Sequence, residues 1–167
     1  MRRRSQRGAV MLETLMYSPI LLALLVGTIE LGRVTYTYVA LQKALYGLAR
    51  YVGTQQGVNF CDDADPTVTA AKNLAITGTL DASAEPLIQG LTADMIQIRA
   101  ERYSAANAEL GDCGCSAAGC DASQGGLPPD YIVVNLLNGY PIRPVFFGLS
   151  VDPILLRPHV RVPFGGL

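Results

Sequence analysis

The sequence predicts an α+β protein in which one long N-terminal helix packs on a small antiparallel sheet. The first part of the chain is an apolar stretch that becomes amphipathic with helical spacing and ends near Val52. The last third alternates apolar and polar residues with a period of two, as strands do. Turn residues and an Asp-Pro pair between these regions indicate one or two further short helices.

The composition excludes several classes of function. The chain has 167 residues and a net charge of −1, so it lacks the strongly basic surface of a nucleic-acid-binding protein. No G-x-S-x-G, P-loop, H-E-x-x-H or dinucleotide-binding motif is present. The single histidine, His159, is predicted on the polar face of an edge strand. We therefore expect no enzyme activity, no cofactor, no nucleic acid partner and no small-molecule substrate.

The N-terminal apolar stretch has the length of a membrane span. No residue between Glu13 and Glu30 is charged. With Ala9–Leu12 added, the stretch reaches about 20 residues, enough for a hydrocarbon core of about 30 Å. Four arginines precede it without an accompanying acid. By the positive-inside rule, this predicts a cytoplasmic N-terminus and a remainder outside the cytoplasm.

Three kinds of processing are compatible with a basic head before an apolar core. A secretory signal usually has a shorter core and ends at a small-x-small site, which "GTIELGRV" does not offer. The residues around "RRRSQ" do not support a twin-arginine signal. The third possibility is cleavage between Gly8 and Ala9, which removes the head and keeps the apolar helix.

Glu13 favours the third possibility. Cleavage after Gly8 would give Ala9 a free α-amino group with a pKa of about 7.7–8.0. Glu13 lies four residues further along the same helix. In a bundle of such helices, its carboxylate can pair with the amine of a neighbour, which offsets the cost of burying either charge. The alternative is an isolated interfacial residue whose carboxylate extends to the headgroups.

Residues 7–52 resemble a known family. "RGAVMLE" is similar to the class III leader of type IV pilins and pseudopilins, with glycine before the cleavage point and glutamate at the fifth mature position. The helix that follows resembles the TadE-like family of the tight-adherence (Tad) pilus system. The matching elements are an early proline, a Glu-x-Gly-Arg element, a Gln-centred amphipathic stretch and a terminal Ala-Arg: Pro19, Glu30–Arg33, Leu41–Ala44 and Ala49–Arg50. Thr14 departs from the family, which usually has an aromatic residue there.

The resemblance implies a pilin-like fold and a minor pseudopilin of the Tad pilus. Residues 1–8 would be a leader cleaved by a prepilin peptidase, 9–52 a transmembrane and stalk helix, and 53–167 a globular α+β domain with a cysteine-rich loop. The implied partners are the peptidase, other pilin and pseudopilin subunits, and the bacterial inner membrane, with the C-terminal domain outside the cytoplasm.

After assembly the subunit would be in an extracellular pilus, with roles in pilus biogenesis, surface adhesion and biofilm formation. Two alternatives stay open. One is a permanently membrane-anchored extracytoplasmic binding protein with an uncut head, and the other is a pseudopilin of a type II secretion system.

A heptad seam predicts how the helix continues beyond the membrane. Apolar residues recur at alternating spacings of three and four, at Leu31, Val34, Tyr38, Leu41, Leu45, Leu48 and Val52. We expect this seam to pack on the globular domain, with neighbouring subunits contacting mostly the membrane half. The helix is predicted over Thr14–Val52, with a bend at Pro19 because proline removes one backbone hydrogen bond.

The globular region contains signals for two short helices and three strands. Asp65-Pro66 predicts a helix start and Gly78 its end, and a second short helix is predicted over Pro86–Leu91. Asp62, Asp63 and Asp65 indicate capping and solvation, because the EF-hand spacing is missing. The strands are "MIQIRAERY", the central "YIVVNLLNGY", and "ILLRPHVRVPF", which its prolines confine to an edge.

The four cysteines favour disulfides over a metal site or free thiols. Cys113, Cys115 and Cys120 lie in a loop from about Ser104 to Pro129, and Cys61 is distant. A loop of that length needs cross-links to stay ordered, and disulfides would indicate an oxidising compartment. Cys113 and Cys115 are too close in sequence to pair with each other, but the pairing is otherwise open. Val145-Phe146-Phe147 either packs under the sheet or forms an exposed contact patch.

Overall fold

The computed structural model describes residues 4–114, 120, 126–146, 149–150 and 152–166. The chain divides into two compact units. One consists of Met1–Tyr36 and Ile142–Ile154, and the other of Thr37–Pro141 and Leu155–Leu167. The predicted α+β class is confirmed: a long N-terminal helix packs on a small antiparallel sheet with a short extra helix.

Helix α1 spans Arg4–Gly53, which is 50 residues. The helix begins earlier than the predicted Thr14 and continues through Pro19 without interruption. Its stretch from Val10 to Gly53 is long and apolar enough to cross a membrane, with a mean hydropathy of 1.8 over a window of 18 residues. The bend at Pro19 stays a prediction.

Threonine hydroxyls in the apolar part of α1 donate hydrogen bonds within the helix. Thr14 and Thr35 donate to the carbonyls of Val10 and Leu31 at 2.9 and 2.8 Å. Such back-bonding removes the need for an outside partner, which matters where water is absent. These residues therefore place no unsatisfied hydroxyl on the apolar surface.

The second unit has its core on the C-terminal part of α1. Leu41, Leu45, Leu48 and Val52 are each 0% exposed. They share the core with apolar residues of the second helix and of the sheet, notably Val68, Ala71, Ala75, Ile132 and Val134. The heptad seam is thus buried from Leu41 onwards, as predicted.

The N-terminal part of the same seam is not buried. Leu31 is 68% exposed and Tyr38 is 39% exposed. The prediction that the whole seam packs on the globular domain is wrong for these residues. Val34, between them on the seam, is half-buried, so the period of three and four continues while the burial of the seam decreases.

Helix α2 spans Pro66–Thr77 and confirms the predicted start and end. The Asp65 carboxylate accepts hydrogen bonds from the backbone N–H groups of Thr67 and Val68 at 2.8 and 3.2 Å. Gly78 ends the helix with φ of +78°, in the left-handed region that glycine enters at little cost.

The predicted helix over Pro86–Leu91 is wrong. This segment forms bends and a turn, closed by one hydrogen bond from the Leu91 N–H to the Ile88 carbonyl at 3.2 Å. Six residues close too few i→i+4 bonds to offset the cost of nucleating a helix. A 3-10 helix follows instead at Ala93–Met95.

The main sheet has four antiparallel strands. They are β1 (Ile96–Ser104), β2 (Glu109–Asp112), β3 (Tyr131–Leu136) and β8 (His159–Pro163), in the order β2-β1-β3-β8. Val134 of β3 pairs with Ile98 on one side and Val160 on the other. The central position of β3 and the edge position of β8 are therefore confirmed.

Three details of the sheet differ from the sequence prediction. Strand β2 lies inside the segment that was predicted as loop. The predicted central strand is divided into β3 and β4 (Tyr140–Ile142), and the predicted last strand into β7 (Ile154–Leu156) and β8. Strands β4 and β7 form a two-stranded sheet, as do β5 and β6, which are Val145–Phe146 and Leu149–Ser150.

A tight turn explains the division after β3. Asn138 and Gly139 have φ of +64° and +76°, the left-handed pair that two-residue hairpin turns use. A Cβ on Gly139 would lie 2.9 Å from Cγ of Arg157 and 3.0 Å from the Leu156 carbonyl oxygen. The chain must therefore turn here, and the turn requires glycine.

We expect Leu45→Ala to lower the free energy of unfolding of the second unit by about 2–5 kcal/mol, because it opens a cavity in the core. Chemical denaturation of the detergent-solubilised chain, followed by circular dichroism, measures the change. The matched control is Tyr46→Ala, whose side chain is 51% exposed and whose loss should cost about 0.5 kcal/mol or less. Equal effects of the two substitutions would contradict this description of the core.

Candidate assembly surface and cysteine cluster

The three residues predicted for processing and assembly lie on the first turns of α1. Gly8 is exposed, and a Cβ built on it would meet nothing within 4 Å. Ala9 follows in the same helix, and Glu13 lies four residues later and is exposed. Residues four apart lie on the same face of a helix, so Ala9 and Glu13 share one face.

An exposed apolar surface surrounds Glu13. One shallow groove beside it is lined by residues such as Val10 and Leu21, and another by residues such as Leu12 and Ile20. The exposed large apolar side chains between Val10 and Leu31 range from 51% exposed at Leu22 to 72% exposed at Leu15. Such a surface is characteristic of a segment that lipid or another helix covers.

Within the described part of the chain, Glu13 makes no ion pair. A carboxylate near the centre of a bilayer costs about 2.5–3.5 kcal/mol on insertion scales. Among the described residues, therefore, none supplies a positive charge to Glu13.

Glu30, at the other end of the uncharged stretch, is arranged differently. Its Oε2 lies 3.6 Å from Nη1 of Arg33, one turn further on, and its side chain is only 12% exposed. This separation makes an ion pair without a hydrogen bond. Glu30 thus has a partner in its own helix, whereas Glu13 has no ion pair with any residue that the structure describes.

Disulfides join the described cysteines. Cys113 is bonded to Cys120 with a Cα–Cα distance of 5.5 Å, and Cys61 is also disulfide-bonded. Cys115 lies outside the described residues. No group of metal-ligating side chains occurs among the residues that were placed.

The acidic residues before α2 have structural partners. Asp65 caps the helix, and Asp63 Oδ1 accepts a hydrogen bond from Nζ of Lys72 at 2.8 Å. Asp62 Oδ1 accepts from the Ala64 N–H at 2.9 Å. These contacts match the interpretation of the three acids as capping and turn residues.

The choice between core and contact patch for Val145-Phe146-Phe147 is not resolved. Val145 is 62% exposed. Phe147 and the side chain of Phe146 lie outside the described residues. His159 is exposed on β8, as the polar-face prediction requires.

Residues 8–50 match the TadE-like protein family. The family recognised from the sequence is thereby confirmed. The match indicates a component related to the Tad pilus. It begins at Gly8 and ends at Arg50, so it covers most of α1 and no strand. No curated protein and no solved structure matches the chain.

Sequence reasoning missed a groove outside the TadE-like region. This groove is lined by residues from several separate segments, among them Phe60, Lys72 and Asp94. No local pattern links residues so far apart in the sequence. Only the placement of β1 beside α2 brings them together.

We expect the double substitution Cys113→Ser with Cys120→Ser to lower the free energy of unfolding of the second unit by roughly 2 kcal/mol. The reason is that the cross-link removes loop freedom from the unfolded chain, and its sequence separation is 7 residues. Denaturation under non-reducing conditions measures the loss. Unfolding curves of wild type and double variant should coincide after full reduction, and a persisting difference would assign the effect to the serines instead.

Proposed function

We propose that this chain is a minor pseudopilin of a Tad-type pilus, processed between Gly8 and Ala9 and assembled through its N-terminal helix. The observation that carries the proposal is Glu13, a carboxylate without an ion pair in the described chain, on an exposed apolar helix that matches the TadE-like family from Gly8.

Cleavage supplies the missing positive charge. Once Gly8 is removed, Ala9 carries an α-amino group that is largely protonated at neutral pH. The amine lies on the same face as Glu13, about 6 Å away along the helix axis. Two such helices, packed with a small axial offset, place the amine of one beside the carboxylate of the other.

Pairing between copies makes the burial of both charges tolerable. An unpaired ion in a low-dielectric bundle costs several kcal/mol, whereas a close, hydrogen-bonded pair recovers much of that cost. Axial register is therefore restricted to offsets that bring the two groups together. Glu30, already close to Arg33, has no comparable need and does not specify register.

The remaining features support the placement of the chain. The four arginines before Gly8 favour a cytoplasmic N-terminus, and the disulfides favour an oxidising compartment for the second unit. The proposed location is the bacterial inner membrane with the C-terminal domain outside the cytoplasm, and after assembly the extracellular pilus. Proposed partners are the prepilin peptidase and other pilin and pseudopilin subunits, and the roles are pilus biogenesis, adhesion and biofilm formation.

Processing is tested by the intact mass of the chain extracted from membranes of cells with an active prepilin peptidase. We expect the mature chain to begin at Ala9, and Gly8→Val to block cleavage. Gly27→Val is the matched control, because a Cβ at either glycine meets nothing within 4 Å, so neither change causes a local clash. Retention of residues 1–8 in the unsubstituted chain would refute processing and support the permanently anchored alternative.

Assembly is tested by Glu13→Ala. We expect cleavage to continue while the amount of this subunit in sheared pili falls by more than about tenfold, because the neighbour's amine is left buried without a partner. Immunoblotting of the sheared fraction against the membrane fraction measures the ratio. Thr14→Ala is the control: its hydroxyl bonds only within the helix, so incorporation should be unchanged.

Normal incorporation of the Glu13→Ala variant would refute the pairing argument. Recovery of the subunit in a type II secretion pseudopilus, and not in Tad pili, would support that alternative instead.

A further inference from the structure

We propose that two copies of this chain bind each other head to tail through the second unit. A basic groove between α1 and β8 of one copy receives an acidic loop, residues 79–87, of the other. Both surfaces lie within the second unit. The contact therefore needs neither cleavage at Gly8 nor the carboxylate of Glu13, and it goes beyond the proposed role of the N-terminal helix.

The charges of the second unit are segregated along the chain. Residues 37–61, which include the C-terminal part of α1, contain two basic residues and no acid. Residues 155–167, which include β8, contain two arginines and one histidine and again no acid. Residues 73–98, which run from α2 into β1, contain three acids and no base. A chain with a net charge of −1 thus carries separate basic and acidic segments.

The basic segments meet in a groove of about 480 Å³. Its lining residues include Val39, Lys43 and Tyr46 on the α1 side and His159 and Arg161 on the β8 side. Arg161 is ion-paired with Glu101, whereas Lys43 has no ion pair among the described residues. The groove therefore combines an uncompensated ammonium group with the partly exposed side chains of Val39 and Tyr46, which are 41% and 51% exposed.

Arg50 adds a second positive charge to this side of the helix. It lies seven residues beyond Lys43, and residues seven apart share a helix face about 10 Å from each other. Arg50 is exposed and also has no ion pair in the part of the chain that the structure describes. The surface thus offers two cations to an acidic partner.

The distance along α1 favours a protein partner over a lipid headgroup. Lys43 lies 13 residues beyond Glu30, which ends the uncharged stretch, and this separation corresponds to about 20 Å of helix. The Debye length at physiological ionic strength is only about 8 Å. Anionic headgroups at the end of the uncharged stretch would therefore attract Lys43 very little.

The acidic loop has the complementary chemistry. Asp81 and Glu85 are both exposed, and neither has an ion pair with a described residue. Leu80 and Leu87 on the same loop are 45% and 67% exposed. Two carboxylates and two leucines can thus meet the two cations, the valine and the tyrosine of the basic surface, so a second copy of this chain is a suitable occupant.

Hydrogen bonds to α2 hold the acidic loop in place. The Leu87 N–H donates to the Ile76 carbonyl at 2.7 Å, and Nδ2 of Asn73 donates to the Leu80 carbonyl at 3.2 Å. Because these bonds order the loop before it binds, docking costs little further conformational entropy.

The loop and the groove lie on different sides of the central strand. Helix α2, which holds the loop, lines a groove with β1, whereas the basic groove is at β8, on the other side of β3. No described hydrogen bond or ion pair joins the two surfaces. Each copy therefore presents both, and a contact between two unlike surfaces can repeat from copy to copy.

The test uses the uncleaved full chain in micelles of a nonionic detergent, with separate samples labelled by a donor and an acceptor dye. Energy transfer between chains measures association, and sedimentation velocity measures the size of the complexes. We expect complexes larger than a dimer as concentration rises. Association should weaken at least threefold between about 0.05 and 0.5 M salt, because exposed charges are screened.

Two charge reversals localise the contact. Lys43→Glu in the groove and Glu85→Lys in the loop should each weaken association roughly fivefold. An equimolar mixture of the two variants should regain association, since one chain keeps an intact loop and the other an intact groove. Recovery in the mixture would also show that both variants are folded.

Matched controls make the same charge changes elsewhere. Arg143→Glu and Glu109→Lys alter exposed residues outside both surfaces and should change association little. Glu13→Ala should also change it little, because the uncleaved chain has no amine at Ala9. Failure of this proposal is thereby distinguished from failure of the proposed helix pairing.

Rescue by the mixture, with neither control reproducing the loss, would support the head-to-tail contact. Four results would overturn it: no association of the unsubstituted chain, equal effects of the reversals and their controls, a mixture that does not associate, or association that both reversals leave unchanged. Loss of association in the Glu13→Ala variant would assign the contact to the N-terminal helix instead.

Discussion

The burial of one apolar seam holds the second unit of this protein together. Leu41, Leu45, Leu48 and Val52 are all fully buried, and each removes its side chain from water, which is worth about 1.5–3 kcal/mol for a residue of this size. α2 and the sheet have no other helix face of comparable apolar area in the described unit to pack against. The placement of the sheet and of the groove beside α2 follows from this contact.

The same helix also carries an apolar surface that its own chain leaves uncovered. The surface from Val10 to Leu31 is mostly more than half exposed, and an exposed apolar area this long requires lipid or protein around it. The two acids at the ends of its uncharged stretch, Glu13 and Glu30, differ in how their charges are compensated. Glu30 lies next to Arg33 and is suited to either. Glu13 has no ion pair among the described residues, and the proposed assembly depends on a positive charge that another molecule brings to it.

Sequence patterns correctly predicted features that depend on residues close together in the sequence. The cap at Asp65, the end at Gly78 and the central position of β3 follow from side-chain types within a few residues, and all three are confirmed. The patterns failed for features that depend on contacts between residues far apart in the sequence. A heptad seam cannot show that Leu31 is exposed while Leu41 is buried, because its spacing is the same at both. Likewise, Pro86–Leu91 has a helical composition, but its turn is set by packing, with the Leu87 N–H bonded to the Ile76 carbonyl at 2.7 Å.

The described disulfide acts on a small part of the second unit. The stabilising effect of a short disulfide loop is modest, because closing it removes little freedom from the unfolded chain. Strand β2 ends at Asp112, directly before the bonded Cys113, so the cross-link lies at the end of a strand and not in the core around Leu45. The core and the cross-link therefore contribute to stability from separate places, and loss of the disulfide should cost less than loss of the most buried leucines.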